Sequence, residues 1–118
     1  MNDYDQRTEP AVTFLGEQDG GPERCLKSAL HTRFAEIEAI QRAYLVRVQY
    51  GSAGPQEIAL ALVAPTADKD AVVSSVHRQF RSLFNVTQHL DIIFLTPAQE
   101  GKVSRVCPPF FLRHAPTT

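Results

Sequence analysis

The spacing of apolar positions changes along the chain, and each change predicts an element. Val12, Phe14 and Leu15 lie in a short β-rich run, 11–15, that Gly16 stops, which predicts an edge strand. Gly20-Gly21-Pro22-Glu23 then predicts a helix start. Proline loses no hydrogen bond at the first helical position, and the positive end of the helix dipole favours glutamate beside it. Behind this start Leu26, Leu30, Phe34 and Ile37 recur at intervals of four, four and three, forming one apolar stripe, while Arg24, Lys27, His31, Arg33 and Glu38 fall on other faces. From Tyr44 the period drops to two. Tyr44, Val46, Val48 and Tyr50 alternate with Leu45, Arg47 and Gln49, the pattern of a half-buried strand. Gly51-Ser52-Ala53-Gly54-Pro55 predicts a turn, and Ile58, Leu60 and Leu62 alternate with smaller residues in a second strand, so the two make a β-hairpin.

Pro65 ends that strand. Thr66 or Asp68 can cap a second helix in which Val72, Val73, Val76, Phe80, Leu83 and Phe84 repeat at helical spacing, with Lys69, His77, Arg78 and Arg81 on its polar side. Asp91-Ile92-Ile93-Phe94-Leu95 is a continuous apolar run and predicts a central strand buried on both faces. Thr96-Pro97-Ala98-Gln99-Glu100 predicts a short helical turn. Pro108-Pro109-Phe110-Phe111-Leu112 predicts a last extended segment, held to a sheet edge because proline cannot donate to a ladder.

The order is β-α-β-β-α-β with an extra C-terminal extended segment. It implies an α+β fold, a two-layer sandwich of the ferredoxin-like, split βαβ kind with both helices on one sheet face. One folded domain is expected over 11–112, between flexible tails at 1–10 and 113–118. Tyr44, Val46, Val48 and Tyr50 are expected beneath the helices. Leu45, Arg47 and Gln49 then share the opposite face with Ala59, Ala61 and one register of 92–95, a face that two helices on one side leave open. Exposed apolar area of that kind marks an interface. Cover would come from the 108–112 segment or from a second copy packed sheet to sheet about a two-fold axis.

A length of 118 residues allows one domain with a real core and is too short for two. Apolar residues at 43% and charged residues at 21% match ordinary globular usage, which argues against a disordered chain. No apolar run approaches the roughly 20 residues of a spanning helix, and the polar, acidic N-terminus has no secretory signal pattern. A net charge of −1 supplies no field for a phosphate backbone, so neither nucleic acid nor membrane is an expected partner. Cys25 and Cys107 stand far apart with no Cys-x-x-Cys spacing and read as reduced thiols of a cytoplasmic protein.

Several segments together resemble a known family. They are Phe14-Leu15-Gly16-Glu17-Gln18 ahead of the Pro-Glu helix start, Ala43-Tyr44-Leu45 opening a strand, His89-Leu90-Asp91-Ile92 before Phe94-Leu95, and Val106-Cys107-Pro108-Pro109-Phe110-Phe111 near the end. From Val12 to Phe111 the chain is similar to the C-terminal domain of the bacterial enhanced serine sensitivity protein family, SseB. The resemblance implies a bacterial, cytoplasmic protein. It carries no catalytic residue, and the additional domain of longer members has no room in this chain.

Among candidate sites, Cys107 lies near Lys102 and Arg105, which could favour a reactive thiolate if they converge on it; the competing reading is a buried inert cysteine. His31, His77, His89 and His114 show no metal-ligand spacing, so no metal or cofactor is expected. Gly20-Gly21 lacks the spacing of a phosphate loop and is flanked by Glu17, Asp19 and Glu23. Tyr44 and Tyr50 among Arg42 and Arg47 lack the pattern of an RNA-binding sheet. The leading expectation is a non-enzymatic protein-interaction or self-association module, a homodimer, whose surface includes Leu45, Arg47, Gln49, Pro109, Phe110 and Phe111. Two alternatives are a small-ligand, amino-acid-binding regulatory domain and thiol or sulfur-transfer chemistry at Cys107.

Overall fold

The computed structural model describes residues 12–51, 54–84 and 90–113. The expected tail at 1–10, most of the tail at 113–118 and the segment containing His89 lie outside the described residues. The elements in chain order are β1 (Val12–Glu17), α1 (Gly21–Ala35), β2 (Arg42–Tyr50), β3 (Gln56–Val63), α2 (Lys69–Leu83), β4 (Asp91–Phe94), α3 (Pro97–Ser104) and β5 (Phe111–Leu112). The fold is α+β, a five-stranded mixed sheet with three helices.

Strands lie in the order β1-β2-β3-β4, and β5 pairs with β2. β1 and β5 share one edge of β2: β1 pairs with Val46 to Tyr50, and β5 with Arg42 and Ala43. The register of β1 slips between Phe14 and Gly16, a bulge at the glycine expected to end this strand. β2 and β3 form the expected hairpin, and Gly51 in its turn has φ 71°, a left-handed conformation suited to glycine. β3 and β4 are parallel and adjacent, with α2 as the crossover.

The lateral order of the strands departs from expectation in two respects. The split βαβ arrangement places another strand between two parallel strands joined by a helix, whereas β3 and β4 touch directly. The apolar run 91–95, expected at the sheet centre, forms β4 at the end of the strand order, and all four of its residues are half-buried. Periodicity assigns side chains to faces; it carries no information about lateral neighbours.

Residues directly opposed across the ladder point to the same side, so the registers define two faces. On one, Leu26, Leu30 and Phe34 of α1 and Val72 and Val76 of α2 pack on Ala43, Leu45, Leu60 and Leu62. On the other, Tyr44, Val46, Val48, Ala59 and Ala61 pack with Phe14, Val103 and Cys107. The expected assignment is therefore inverted: Leu45, not Tyr44, lies beneath α1 and α2. The second face is covered as well. Thr96 caps α3 through a capping box with Gln99, which extends the expected turn into a helix reaching Ser104 and delivers Val103 and Cys107 onto the sheet. Of the two cap candidates for α2, Asp68 takes the position and accepts a hydrogen bond from the Ala71 N–H at 3.2 Å.

The chain closes as a strap along β2. Phe110 N–H donates to Ala43 O and Arg113 N–H to Gln41 O. The Arg113 guanidinium donates to Ile40 O, Phe34 O and Ile37 O, the carbonyls at and just beyond the C-terminal end of α1. Arg113, grouped by sequence with the C-terminal tail, is thus an anchor of the fold.

Candidate functional site

The expected interface residues do not form one surface. Leu45 is 1% exposed in the core under α1 and α2, and Phe111 is 5% exposed with its ring edge-on to Phe34. Pro109 and Phe110 are half-buried in the strap. Arg47 is exposed and Gln49 half-buried, at the hairpin end of the helix-side face. Gln49 is engaged within the turn, donating to Gly54 O.

Cys107 is 2% exposed, and its thiol points at the carbonyls of Leu45 and Pro108. Burial, reinforced by the charge of Glu17 and opposed by that of Lys27, pushes the thiol up to about 11. Lys102 and Arg105, the cations expected to stabilise a thiolate, are not among these influences, because their exposed positions on and after α3 do not converge on the sulfur. This environment keeps the group protonated at neutral pH. Cys25 is exposed on α1.

On the second face, carboxylates tie elements together at Glu100 and at Asp91. Glu100 of α3 accepts hydrogen bonds from Arg42 Nε, from Arg42 Nη2 at 3.0 Å and from the Tyr44 hydroxyl at 2.8 Å. Arg42 holds the Glu100 carboxyl below its usual range, and burial with the adjacent carboxylate raises the Tyr44 hydroxyl to about 12. The Tyr50 hydroxyl donates to Asp91 at 2.6 Å, joining β2 to β4 across β3. These donors and acceptors face one another rather than an open space, so they brace the second face. Among the described residues no group of three or more His, Cys, Asp or Glu side chains is gathered for a metal, and no helix is long and apolar enough to cross a membrane.

Open space occurs at the hairpin end of the helix-side face. α1 and α2 cover Ala43, Leu45, Leu60 and Leu62; Ile58 packs half-buried at the rim of this core, and Arg47, opposite it across β2 and β3, is exposed. There a hollow of about 370 Å³ is lined by Gln18, Arg47, Gln56, Glu57 and Ile58. A narrow slot of about 40 Å³ adjoins it at Ile58 and runs between the helices past Leu26, Leu45, Phe80, Phe84 and Leu90, with Glu23 on its rim. Phe80 and Phe84 pack ring to ring at 4.8 Å and remain half-exposed.

The polar end of this cleft is organised by Gln18. Its amide oxygen accepts from Arg47 Nη1 at 3.3 Å, and its amide nitrogen donates to Glu23 Oε2 at 3.1 Å. Glu57 opposes Val48, so its side chain belongs to the other sheet face, where its charge acts on Tyr50. Among the described residues Arg47 has no carboxylate partner; a neutral amide is its hydrogen-bonding contact. Alternation places Arg47 on the face of Leu45, but how far α1 and α2 extend over that face, and the presence of Gln18 across from Arg47, are tertiary facts.

Comparison with known proteins finds no matching family model, no matching curated protein and no matching solved structure.

Proposed function

We propose that this domain is a non-enzymatic protein-interaction module, and that the cleft at the hairpin end receives a partner segment carrying a carboxylate beside a large apolar side chain. The observation that carries this reading is the exposed Arg47 guanidinium, whose hydrogen-bonding partner among the described residues is a neutral amide, at the mouth of a cleft that leads by Ile58 to the half-exposed Phe80 and Phe84. An arginine fork pairs with a carboxylate through two parallel hydrogen bonds, a stronger contact than the amide it would displace. Apolar groups beside it supply area to bury. The SseB family resemblance, with its bacterial and cytoplasmic setting, belongs to the same proposal and rests on the sequence segments alone.

Nitrogen-labelled protein titrated with short acidic-aromatic peptides is expected to show resonance shifts confined to Arg47, Ile58, Phe80, Phe84 and their neighbours. Arg47→Glu is expected to remove them while leaving the rest of the spectrum intact. Shifts that persist in Arg47→Glu, or that map to another face, would count against the cleft.

A second reading is favoured by Gln18 itself. Its amide presents to Arg47 an acceptor and to Glu23 a donor, the pattern that a free α-amino acid presents through its carboxylate and ammonium. The narrow slot would admit a small side chain. In a thermal-shift series at millimolar amino acid, stabilisation that grows in Gln18→Ala and vanishes in Arg47→Ala supports this reading. Equal melting temperatures with and without amino acid in all three proteins dismiss it.

A further inference from the structure

β4 has the composition of an interior strand and the position of an edge strand. Ile92, Ile93, Phe94 and Leu95 are apolar on both faces, yet each is half-buried, and among the described residues β4 pairs with β3 alone. Exposed strand edges in natural proteins are usually blunted by lysine, proline or a bulge, and between Ile92 and Leu95 there is none of these. The ladder geometry shows which backbone groups remain outside. In a parallel pair, alternate residues direct both N–H and C=O to the same neighbour. Leu95 N–H donates to Leu62 O of β3, so Asp91, Ile93 and Leu95 face β3, and Ile92 and Phe94 face outward.

The helix above this edge is unfinished on the same side. α2 meets α1 through Ser75, whose hydroxyl accepts from Arg33 Nε at 2.9 Å. At 100° per residue, positions two before and two after Ser75 lie nearly opposite it, so Val73 and His77 point away from α1, and both are half-buried. Lys69 Nζ stands 5.2 Å over the Phe94 ring, which places the start of α2 above the end of β4. The helix thus runs antiparallel to the strand, with Asp70 exposed near its start and Arg81 exposed near its end.

We infer that the β4 edge and the outer flank of α2 form a two-fold contact with a second copy of this chain, the two β4 strands pairing antiparallel about Ile93 to make one continuous sheet. In this register Ile92 opposes Phe94 of the second copy, and the outward N–H and C=O groups of both residues are satisfied reciprocally. Side chains on each face stay on that face, because opposed positions share parity. Strands about 4.8 Å apart bring two helices seated over the β3–β4 pairs to roughly 10 Å, the spacing at which helices pack. The axis also sets the two α2 helices antiparallel and crosses them near their first turns, which lie over the end of β4, so the half-buried Val73 of each copy faces that of the other. A self-complementary arrangement of this kind closes as a dimer and leaves no further β4 edge. The apolar composition that predicts a central strand then has its cause: β4 is central in the dimer. The contact is separate from the cleft at Arg47, so either can fail without the other.

Sedimentation equilibrium of the full chain tests the inference. A monomer–dimer equilibrium is expected, weakened about tenfold by Val73→Asp and by Val73→Lys and restored when the two variants are mixed, since like charges opposed across an interface are costly and opposite ones attract. Val73 is half-buried on the flank away from α1, and far-UV circular dichroism of each variant at dilution separates loss of pairing from loss of folding. Hydrogen exchange supplies an independent reading: the Ile92 and Phe94 amides should be protected at dimeric concentrations and exchange rapidly on dilution. A chain that stays monomeric at the highest concentration overturns the inference. So does a dimer indifferent to a charge in place of Val73, or one in which these two amides stay unprotected, because the copies would then meet elsewhere.

Discussion

At the scale of single residues, the informative groups are those whose surroundings change their ionisation. Cys107 is buried against carbonyl oxygens, and its pKa rises from the usual 9.0 to about 11. The folded state therefore holds this proton more tightly than the unfolded chain does. Its contribution to stability is complete below pH 9 and is lost as pH climbs through 11. Tyr44, raised from 10.0 to about 12, acts in the same direction at still higher pH. Glu100 is the opposite case. Its pKa is depressed below 4.5 by Arg42, so its contribution is present above that value and is lost as pH falls beneath it. Chemical denaturation across pH should thus show a plateau between pH 4.5 and 9 with a decline on each side, and Cys107→Ala should shallow the alkaline limb.

The same surroundings predict reactivity. Iodoacetamide at neutral pH should modify the exposed Cys25 and leave Cys107 unmodified until denaturant is added, which intact-mass measurement resolves. Rapid alkylation of Cys107 in the native protein would revive the idea of thiol chemistry at this position.

At the scale of elements, the helices show how much of an end is written locally. Asp68 and Thr96 accept hydrogen bonds from backbone N–H groups of the first turns of α2 and α3. Asp68→Ala should cost about 1 kcal/mol, the usual loss for an N-cap, read as a lower denaturation midpoint at unchanged slope. α3 depends on more than its cap, because Glu100 binds Arg42 and Tyr44 of β2. Glu100→Ala leaves the cap intact but strips this tether, and a loss of roughly 1.5–3 kcal/mol is expected for hydrogen bonds to a charged group. A near-neutral Glu100→Ala would mean that Val103 and Cys107 alone seat the helix.

Element types were largely legible in the chain because each rests on nearby residues. The stripe Leu26, Leu30, Phe34 required a helix, and the alternation around Val46 required a strand. α3 was legible in principle, since Thr96 and Gln99 have the spacing of a capping box, but its polar surface carries no apolar stripe to announce its length. β5 is two residues long and is held by pairing with β2, which no local pattern records.

At the scale of the whole molecule, coverage of the sheet decides what surface is left for function. The face of Tyr44, Val46 and Val48 is covered at its centre by Val103 of α3 and by Cys107, so the described residues show no broad open face of the kind expected from two helices. Among the described residues the open features are a cleft at the hairpin end of α1 and α2 and the edge at β4. The closing strap matters to both faces, since Phe111 packs in the helix-side core and Cys107 in the other. Phe111→Ala should cost about 3–5 kcal/mol, a Phe-to-Ala core deletion, and calorimetry should show one cooperative transition at a lower Tm. A change of less than about 1 kcal/mol would show that the strap is an accessory, as for a surface substitution.

The amino-acid sequence by itself determined α1, α2, the hairpin and which side chains of a strand share a face, because those depend on periods of two and 3.6 and on residue types close in the chain. Only the tertiary structure decided which face lies beneath α1 and α2, that β4 stands at an edge, that α3 covers the centre of the second face, and that Gln18 spans Arg47 and Glu23. These depend on contacts between residues distant along the chain, where the energy comes from shape and area brought together in space, and a linear pattern of polarity does not specify which surfaces meet.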